Sequence, residues 1–433
     1  MARARAALYP DTYYTATAVL PPRRPSLSAA LRCDVCVVGG GLAGLSTALE
    51  LAGRGYEVIL VEARRIGWGA SGRNGGQALP GIAMPQPRLE RLLGPAAARA
   101  IWDLTLAGLT LLRTRIQRHG IDCDWVDGTL EVAMKPSQWR SLIQTAAHLH
   151  ERYQYAAPRL IGRDGLGELL QTELYRGGLF DPNGGHLHPL RYTLGLADAA
   201  EAAGVMLFEA TRALGYAQVN GATGALRVRC ADGHIDCDQL VFAGNTGLGP
   251  TAPALRRKIV PVRTFMLATE PLEPERALAL IRNRCAVTDT NWVLNYFRPS
   301  ADHRLLFGGG ISYSGRTPFD MTRLTRRRML HVFPQLADVR IDYAWDGELD
   351  LTVNRAPHFG RLAPNVWFLQ GFSGHGLALT GIAGQLVAQA IAGTAERFDV
   401  FARIPHRDFP GGQALRRPLL ALAMLWYRLM DLL

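Results

Sequence analysis

A glycine-rich turn near the amino terminus constrains the fold more than any other feature of this chain. Gly39, Gly41 and Gly44 stand between an apolar run at 34–38 and a second apolar segment at 45–52. In a turn from strand to helix, the first glycine permits the tight bend and the second lets a pyrophosphate approach the backbone. The third brings helix and strand close together. The spacing predicts a strand, a helix and a phosphate site at the start of that helix.

An acidic residue completes the pattern. Glu62 follows the next apolar run, 57–61, where a second parallel strand is expected. A carboxylate at this place can accept hydrogen bonds from a ribose. The turn and Glu62 together predict a dinucleotide-binding unit, but they do not separate FAD from NAD.

Two further glycine clusters point the same way. Residues 67–77 hold five glycines in eleven positions, and their amides, with Ser71, Asn74 and Arg73, can face phosphate or a heteroaromatic ring. A plain surface loop is the alternative. Residues 370–377 form another turn, between a predicted strand at 366–370 and a predicted helix at 377–391. A helix start there would face an electron-rich group, such as the pyrimidine end of a reduced flavin.

The three clusters resemble those of the FAD-dependent D-amino-acid oxidase superfamily, which includes glycine and sarcosine oxidases. The likeness is greatest to gamma-glutamylputrescine oxidase-like proteins. It rests on Asp-Thr-Tyr-Tyr at 11–14, Gly-Ala-Ser-Gly-Arg-Asn-Gly-Gly-Gln at 69–77, Thr-Val-Asn-Arg-Ala-Pro at 352–357, Gly-Phe-Ser-Gly-His-Gly at 371–376 and Phe-Pro-Gly-Gly at 409–412. The resemblance implies an α/β (α+β overall) fold, with a Rossmann-like FAD-binding domain and a discontinuous, mixed-sheet substrate domain.

The resemblance also implies the cofactor and its contacts. FAD is the expected cofactor, and no metal site is expected. The predicted FAD-binding residues are Gly39, Gly41, Leu42, Ala43, Gly44, Glu62, Ala63, Arg64, Ala70, Ser71, Gly72, Arg73, Asn74, Gly75, Gly76, Gln77, Ala213, Gly244, Gly371, Phe372, Ser373, Gly374, His375, Gly376 and Leu377.

The predicted domains are interleaved along the chain. Residues 1–30 are expected to form an extended lead-in, and 401–433 a helical tail whose apolar part, 418–433, is too short to span a membrane. That apolar part is expected to dock on the protein, with contact at a membrane surface as the alternative. The FAD-binding domain is assigned to 31–87, 186–250 and 350–400, and the substrate domain to 88–185 and 251–349.

Composition excludes several classes of protein. The excess of 48 basic over 37 acidic residues is almost all arginine and is spread along the chain, which argues against nucleic-acid binding. The pair Cys33 and Cys36 lies in an apolar run that predicts a buried strand rather than a redox or zinc site. With no secretory signal, the sequence predicts a cytoplasmic enzyme, monomeric or homodimeric, without stable membrane insertion.

The chemistry that the resemblance implies is removal of a hydride from a carbon that bears an amine. Tyr296, Phe297 and Trp345 are the expected apolar walls, with core packing as the alternative for each. The residues considered for binding substrate, mainly a substrate carboxylate, are Arg263, Arg298, Arg355 and His188, the last of which can equally cap a loop. For catalysis the candidates are His375, Tyr296 and Trp345, while Lys258 is expected at a solvated surface.

The function predicted on this basis is FAD-dependent oxidative deamination of an amine. The imine product hydrolyses to an aldehyde, and O2 is reduced to H2O2. Gamma-glutamylputrescine or a related acid-bearing amine is the expected substrate. Two alternatives stay open: a D-amino-acid or secondary amino-acid dehydrogenase that passes electrons to quinone, and a non-catalytic flavin-binding subunit or sensor.

Overall fold

The computed structural model describes residues 9–219, 224–312 and 320–410. These residues form two mixed sheets with helices packed on them, which confirms the predicted fold class. The helices are α1 Tyr13–Thr17, α2 Leu42–Ala52, α3 Gln86–Leu93, α4 Pro95–Arg118, α5 Pro136–Tyr153, α6 Arg163–Leu169, α7 Pro189–Ala202, α8 Pro253–Arg256, α9 Pro274–Leu280, α10 Met321–Val332, α11 Gly376–Ile391 and α12 Glu396–Ala402.

The first sheet is built around an apolar strand that is buried on both faces. This strand, β1, pairs in parallel with β2 on one side and with β10 on the other. The described order is β16-β17-β10-β1-β2-β7, with β8 and β9 added beside β10. The bounds are β1 Ala30–Val38, β2 Val58–Val61, β7 Met206–Phe208, β8 Gly215–Gln218, β9 Leu226–Arg229, β10 His234–Phe242, β16 His358–Ala363 and β17 Val366–Gln370.

The second sheet is made from the two stretches of chain between these strands. Its order is β15-β11-β14-β13-β12-β4-β6-β3, with β5 paired to β6. The bounds are β3 Gln77–Ala78, β4 Val126–Ala133, β5 Arg159–Gly162, β6 Gly177–His186, β11 Ile259–Thr269, β12 Ala286–Asp289, β13 Asn295–Pro299, β14 Leu305–Ser312 and β15 Ile341–Thr352. The predicted domain division stays a prediction, and β3 lies in the second sheet although it falls inside the first predicted segment.

The second sheet has two different faces, because side chains alternate along each strand. We call the outer face the one whose side chains join a core with α6, α9 and α10; it includes Leu130, Val132, Phe297 and Phe307. We call the inner face the one whose side chains, such as Met266 and Trp345, share a core with the first sheet's layer. The inner face therefore looks toward the glycine clusters.

One local expectation was wrong. The lead-in is not wholly extended: Thr12 caps a short helix whose Tyr13 and Tyr14 are buried. The strand β4 takes its partners, β6 and β12, from distant parts of the chain. Cys33 and Cys36 are buried in β1 as predicted. Residues 411–433, most of the predicted tail, lie outside the described residues.

Among the described residues, no single helix has both the length and the apolar composition needed to cross a membrane. One pair, α11 and α12, meets that test only when the two helices are joined, and they are bent by 120°.

A buried carboxylate ties the lead-in to the first sheet. Glu209 is fully buried and accepts hydrogen bonds from the backbone N–H of Arg24 at 3.1 Å and of Ile66 at 2.8 Å. It also pairs with the Arg65 guanidinium at 2.7 Å. Since every one of these groups is withdrawn from water, removal of the carboxylate leaves donors unsatisfied.

We predict that Glu209→Ala lowers the free energy of unfolding by about 3–5 kcal/mol, because it leaves a buried guanidinium unpaired. Urea denaturation of the purified protein measures the change. The matched control is Glu57→Ala, whose side chain is exposed and should change stability by less than about 0.5 kcal/mol. Equal effects of the two substitutions would contradict the assigned role of Glu209.

Candidate active site

The first glycine turn is built to bring backbone close to a ligand. Gly39 has a φ of +120°, and a Cβ there would lie 2.7 Å from the backbone of Ala243. A Cβ on Gly44 would collide with the carbonyl oxygen of Gly39, so helix α2 can pack on β1 only with glycine at this position. Gly41 begins α2 without a side-chain cap, while the Leu42 N–H donates to Ser71 Oγ at 3.0 Å. The remaining N–H groups of this helix start favour an anion.

Glu62 lies beside this turn and holds its shape. Its carboxylate accepts hydrogen bonds from the backbone N–H of Gly40 and of Arg64, both at 2.8 Å. Burial raises the pKa of Glu62, and the two N–H donors oppose this rise. Because a carboxylate can accept about four hydrogen bonds, Glu62 keeps acceptor capacity for hydroxyl donors.

Two of the predicted FAD-binding residues, Ala213 and Gly244, lie at the same edge of the first sheet. Ala213 is buried, and its carbonyl accepts a hydrogen bond from Thr251 Oγ1 at 2.9 Å. Gly244 follows β10, where a Cβ would lie 2.8 Å from the Leu248 side chain. The carboxyl ends of parallel strands are where such sheets bind nucleotides.

The second cluster, 67–77, is a loop closed by its own side chains. The Asn74 amide donates to the carbonyls of Ala70 at 2.9 Å and Ser71 at 3.0 Å, and its oxygen accepts from the Gly76 N–H at 2.8 Å. Arg73 lies over the Trp68 ring and 3.8 Å from Asp346. The side chains of Asn74 and Arg73 thus have protein partners, which leaves the loop's backbone as its ligand-facing part.

Arg298 and Trp345 fix this loop against the inner face. The Arg298 guanidinium donates to the carbonyls of Gly75 at 2.7 Å and Leu187 at 2.9 Å. The Trp345 indole N–H donates to the carbonyl of Arg73 at 3.0 Å. With its donors engaged by the backbone and its side chain buried, Arg298 supports the loop, a role that the sequence interpretation did not give it.

The third cluster, 370–377, is anchored by a buried carboxylate. Asp350 accepts a hydrogen bond from the Gly371 N–H, and burial raises its pKa to about 6. Gly371, Ser373 and Gly374 all have positive φ and form a tight turn. The turn ends at His375, the residue that precedes α11.

His375 presents an unpartnered nitrogen at the start of α11. Its Nδ1 is buried and has no hydrogen-bond partner among the described residues. Burial, with a smaller effect of the Arg355 charge, lowers the pKa of His375 to about 4, so the imidazole is neutral near pH 7. A buried polar atom without a partner is rare in folded proteins, and it indicates a place where a ligand atom fits.

A row of neighbouring side chains crosses the inner face opposite the loop. Strand register places next to one another, in order across the sheet, Trp345, Met266, Gly308, Tyr296, Thr288 and Glu131. The Tyr296 ring lies over Gly308, and a Cβ on Gly75 of the loop would be 2.9 Å from that ring. Burial raises the pKa of Tyr296 to about 12, so its hydroxyl stays neutral. The loop and the row are therefore in direct contact.

Other predicted substrate residues lie elsewhere or have other partners. Phe297 as a wall was wrong: alternation along β13 turns it to the outer face, where it stacks on Phe307 at 5.6 Å. His188 caps α7 by accepting from the Arg191 N–H at 3.2 Å, which is the alternative considered from the sequence. Arg263 pairs with Asp346 at 2.8 Å, and Lys258 pairs with Asp408 at 2.8 Å.

Comparison with known proteins decides the family. The family model described as FAD dependent oxidoreductase, DAO, matches residues 34–390. The chain is 40% identical over 422 residues to gamma-glutamylputrescine oxidoreductase of Escherichia coli K12, covering 97% of this chain and 98% of that protein. It is 38% identical over 411 residues to the probable oxidoreductase OrdL of Haemophilus influenzae, covering 94% of each.

The chain belongs to the DAO family of FAD-dependent oxidoreductases. Its fold agrees with that of glycine oxidase from Geobacillus kaustophilus, with a TM-score of 0.70 at 21% identity over 84% of this chain and 95% of that one. The predicted family, enzyme class and cofactor are thereby confirmed.

The residues of this DAO protein fit FAD. The uncapped start of α2 suits the pyrophosphate, and Glu62 suits a ribose hydroxyl. A Cβ on Gly69 or Gly374 would meet no atom within 4 Å, so open space lies beside both the second and the third cluster. The unpartnered His375 Nδ1 borders the third cluster. The assignment of individual contacts stays a prediction.

The sequence analysis missed three polar residues of this region. Asp350, Thr288 and Glu131 sit on strands without any glycine motif beside them. Their importance follows from strand pairing, because Thr288 hydrogen-bonds Gln77 at 2.7 Å across 211 positions of sequence. No local signal marked the two carboxylates, because β15 holds three further acidic residues and β4 holds one, Asp127.

We predict that Gly44→Ala lowers FAD occupancy at least about tenfold, because the new methyl group separates α2 from β1. The ratio of flavin absorbance to protein absorbance after purification measures occupancy. Gly167→Ala is the matched control, since a Cβ at that helical position meets no atom within 4 Å. Full flavin content in the Gly44 variant would contradict the predicted turn.

Proposed function

We propose that this enzyme oxidises the primary amine of gamma-glutamylputrescine or of a closely related amine that carries a carboxylate, with O2 as acceptor. The observation that carries the proposal is the 40% identity, over nearly the full length of both chains, to gamma-glutamylputrescine oxidoreductase. The net reaction converts R–CH2–NH2, O2 and H2O to R–CHO, NH3 and H2O2. A cytoplasmic location and the state of monomer or homodimer stay predictions from the sequence.

Bound FAD supplies an acceptor for the hydride that leaves the amine-bearing carbon. The protein must therefore present a neutral amine, because an ammonium group has no lone pair to assist hydride release. Met266 and Trp345 are buried on the inner face, and the Trp345 N–H is already bound to Arg73. These surfaces exclude water and disfavour the charged amine, which lowers its pKa.

Neither polar aromatic group near the reacting region titrates near neutral pH. The neutral Tyr296 hydroxyl and the neutral His375 ring can donate or accept hydrogen bonds without changing charge. We therefore assign them to binding and orientation, and the amine proton leaves to solvent before the substrate reacts.

Arg355 is the residue we propose for the substrate carboxylate. Its backbone has a φ of +64°, and its side chain is partly exposed. Among the described residues it makes no ion pair, whereas Arg263 pairs with Asp346 and Arg298 is engaged by backbone carbonyls. Its charge reaches His375 and helps to lower the pKa of that ring, which places it close to the third cluster. A guanidinium in this position can bind a carboxylate with two parallel hydrogen bonds.

We predict that gamma-glutamylputrescine bleaches the flavin under anaerobic conditions, because hydride transfer reduces it. Admission of air should restore the colour and form one H2O2 per aldehyde. Gamma-glutamylbutylamine, which lacks the reacting amine, is the matched control and should leave the spectrum unchanged.

Three outcomes of this experiment count against the proposal. Failure of every amine to bleach the flavin would contradict amine oxidation. If only D-alanine or sarcosine bleaches the flavin, the substrate is an amino acid and not gamma-glutamylputrescine. If the colour returns with an added quinone and not with air, the electron acceptor is a quinone and not O2.

We predict that the pH dependence of flavin reduction does not come from His375. With a pKa of about 4, this ring is neutral throughout pH 6–9. The rate should rise with pH in that range as more substrate becomes free amine. Rapid mixing at several pH values should give superimposable profiles, after scaling, for the wild type and His375→Gln. Loss of the rise in the variant would make His375 the titrating base.

A further inference from the structure

Tyr14 in the lead-in contacts both side chains that hold the loop at 67–77 in place. Its ring lies edge-on to Trp345, with 5.3 Å between the ring centroids and 70° between the ring planes. Its hydroxyl accepts a hydrogen bond from Arg298 Nη2 at 3.2 Å, across 284 positions of sequence. All three side chains are buried. The short helix α1 therefore lies against the two supports of the loop.

Tyr14 supplies one of the acceptors that fix the Arg298 guanidinium. Nε of this group donates to the Gly75 carbonyl at 2.7 Å, and Nη2 donates both to the Leu187 carbonyl at 2.9 Å and to Tyr14. Two further acceptors lie within 3.5 Å of Nη1. Because the guanidinium is planar and rigid, the acceptors on its outer nitrogens determine where Nε points. The hydroxyl of Tyr14 thus helps to aim the hydrogen bond that Gly75 accepts.

The same guanidinium also packs on the next residue of the loop. A Cβ on Gly76 would lie 2.8 Å from Arg298 Nη2, the atom that donates to Tyr14. Gly76 has a φ of +75°, a backbone conformation that glycine adopts without strain. A shift of the guanidinium therefore reaches two consecutive residues of the loop, Gly75 and Gly76.

Packing of α1 does not by itself require the Tyr14 hydroxyl. A phenylalanine ring would fill the same space, and a buried hydroxyl costs free energy unless it is hydrogen-bonded. The neighbouring Tyr13 is also buried, and its hydroxyl donates to Asp302 at 2.6 Å, in the turn 300–304 between β13 and β14. Of these two hydroxyl groups, only that of Tyr14 binds a side chain that holds the loop.

We propose that Tyr14 is a positioning residue for the cofactor. It fixes the Arg298 guanidinium, which in turn holds the backbone of the loop at 67–77 in the position that binds FAD. The lead-in, ahead of the first strand, is thereby part of the cofactor site. This inference goes beyond the proposed function, because it holds for any amine and any electron acceptor. It rests on the predicted contact between FAD and the backbone of the loop.

The test removes the hydroxyl and keeps the ring. Tyr14→Phe retains the contact with Trp345 and takes one acceptor from a buried guanidinium. The fluorescence of FAD released on dilution of the holoenzyme gives the dissociation constant. We expect FAD to bind about 3- to 10-fold more weakly, since part of the free energy of one hydrogen bond to a charged group is lost. The visible circular dichroism of the bound flavin should change as well, because the backbone beside it shifts.

Tyr13→Phe is the matched control. It removes a buried hydroxyl from the same helix, and Asp302 keeps Ser300 and Arg304 as partners. The dissociation constant of FAD should stay within about twofold of the wild-type value, and the visible circular dichroism should not change.

A second comparison tests whether Tyr14 acts through Arg298. In an Arg298→Lys background, the ammonium does not supply the planar fork that joins Tyr14 to Gly75. There, Tyr14→Phe should weaken FAD binding by less than about twofold. A further loss as large as that in the wild-type background would overturn the link between the two residues.

Two other results overturn the inference. One is a Tyr14→Phe protein with the FAD affinity and the visible circular dichroism of the wild type. The other is an equal change in Tyr13→Phe, which would assign the effect to docking of α1 and not to the bond with Arg298. Since no substrate is added, these results are independent of whether the proposed amine is oxidised.

Discussion

The structure depends on the contact between the loop at 67–77 and the inner face of the second sheet. Arg298 and Trp345 donate hydrogen bonds to carbonyls of this loop, and Tyr296 packs against Gly75. The loop also reaches the first glycine turn, since Ser71 accepts from the Leu42 N–H. One segment thus joins the nucleotide end of the site to its apolar end, and Gly72, Gly75 and Gly76 let its backbone approach neighbouring residues.

Electrostatics divide the site into regions with different tasks. The start of α2 favours anions, whereas the Tyr296 hydroxyl on the inner face stays neutral. Positive charge is placed at the border of the site, where Arg355 lies near the third cluster. A guanidinium there can hold a carboxylate while the reacting carbon stays in a water-poor region.

The sequence predicted what short-range patterns determine. Gly39, Gly41 and Gly44 specify a turn through their local spacing alone. The nucleotide-binding end of the site could therefore be predicted from the sequence. The inner face was not, because it is assembled from strands that lie far apart in sequence. Tyr296 and Phe297 are adjacent and equally aromatic, and only the pairing of β13 decides which one faces the site. Thr288 joins this face only through its register with Tyr296.

The most direct test is a crystal structure of the FAD-loaded protein, chemically reduced and kept without oxygen, with gamma-glutamylputrescine bound. We expect the ribose at Glu62 and the flavin ring beside the backbone of the loop at 67–77 and of the third cluster. The amine-bearing carbon should lie against that ring on the side of Tyr296 and Trp345. A flavin ring away from the inner face, or an amine bound on the outer face, would contradict this account.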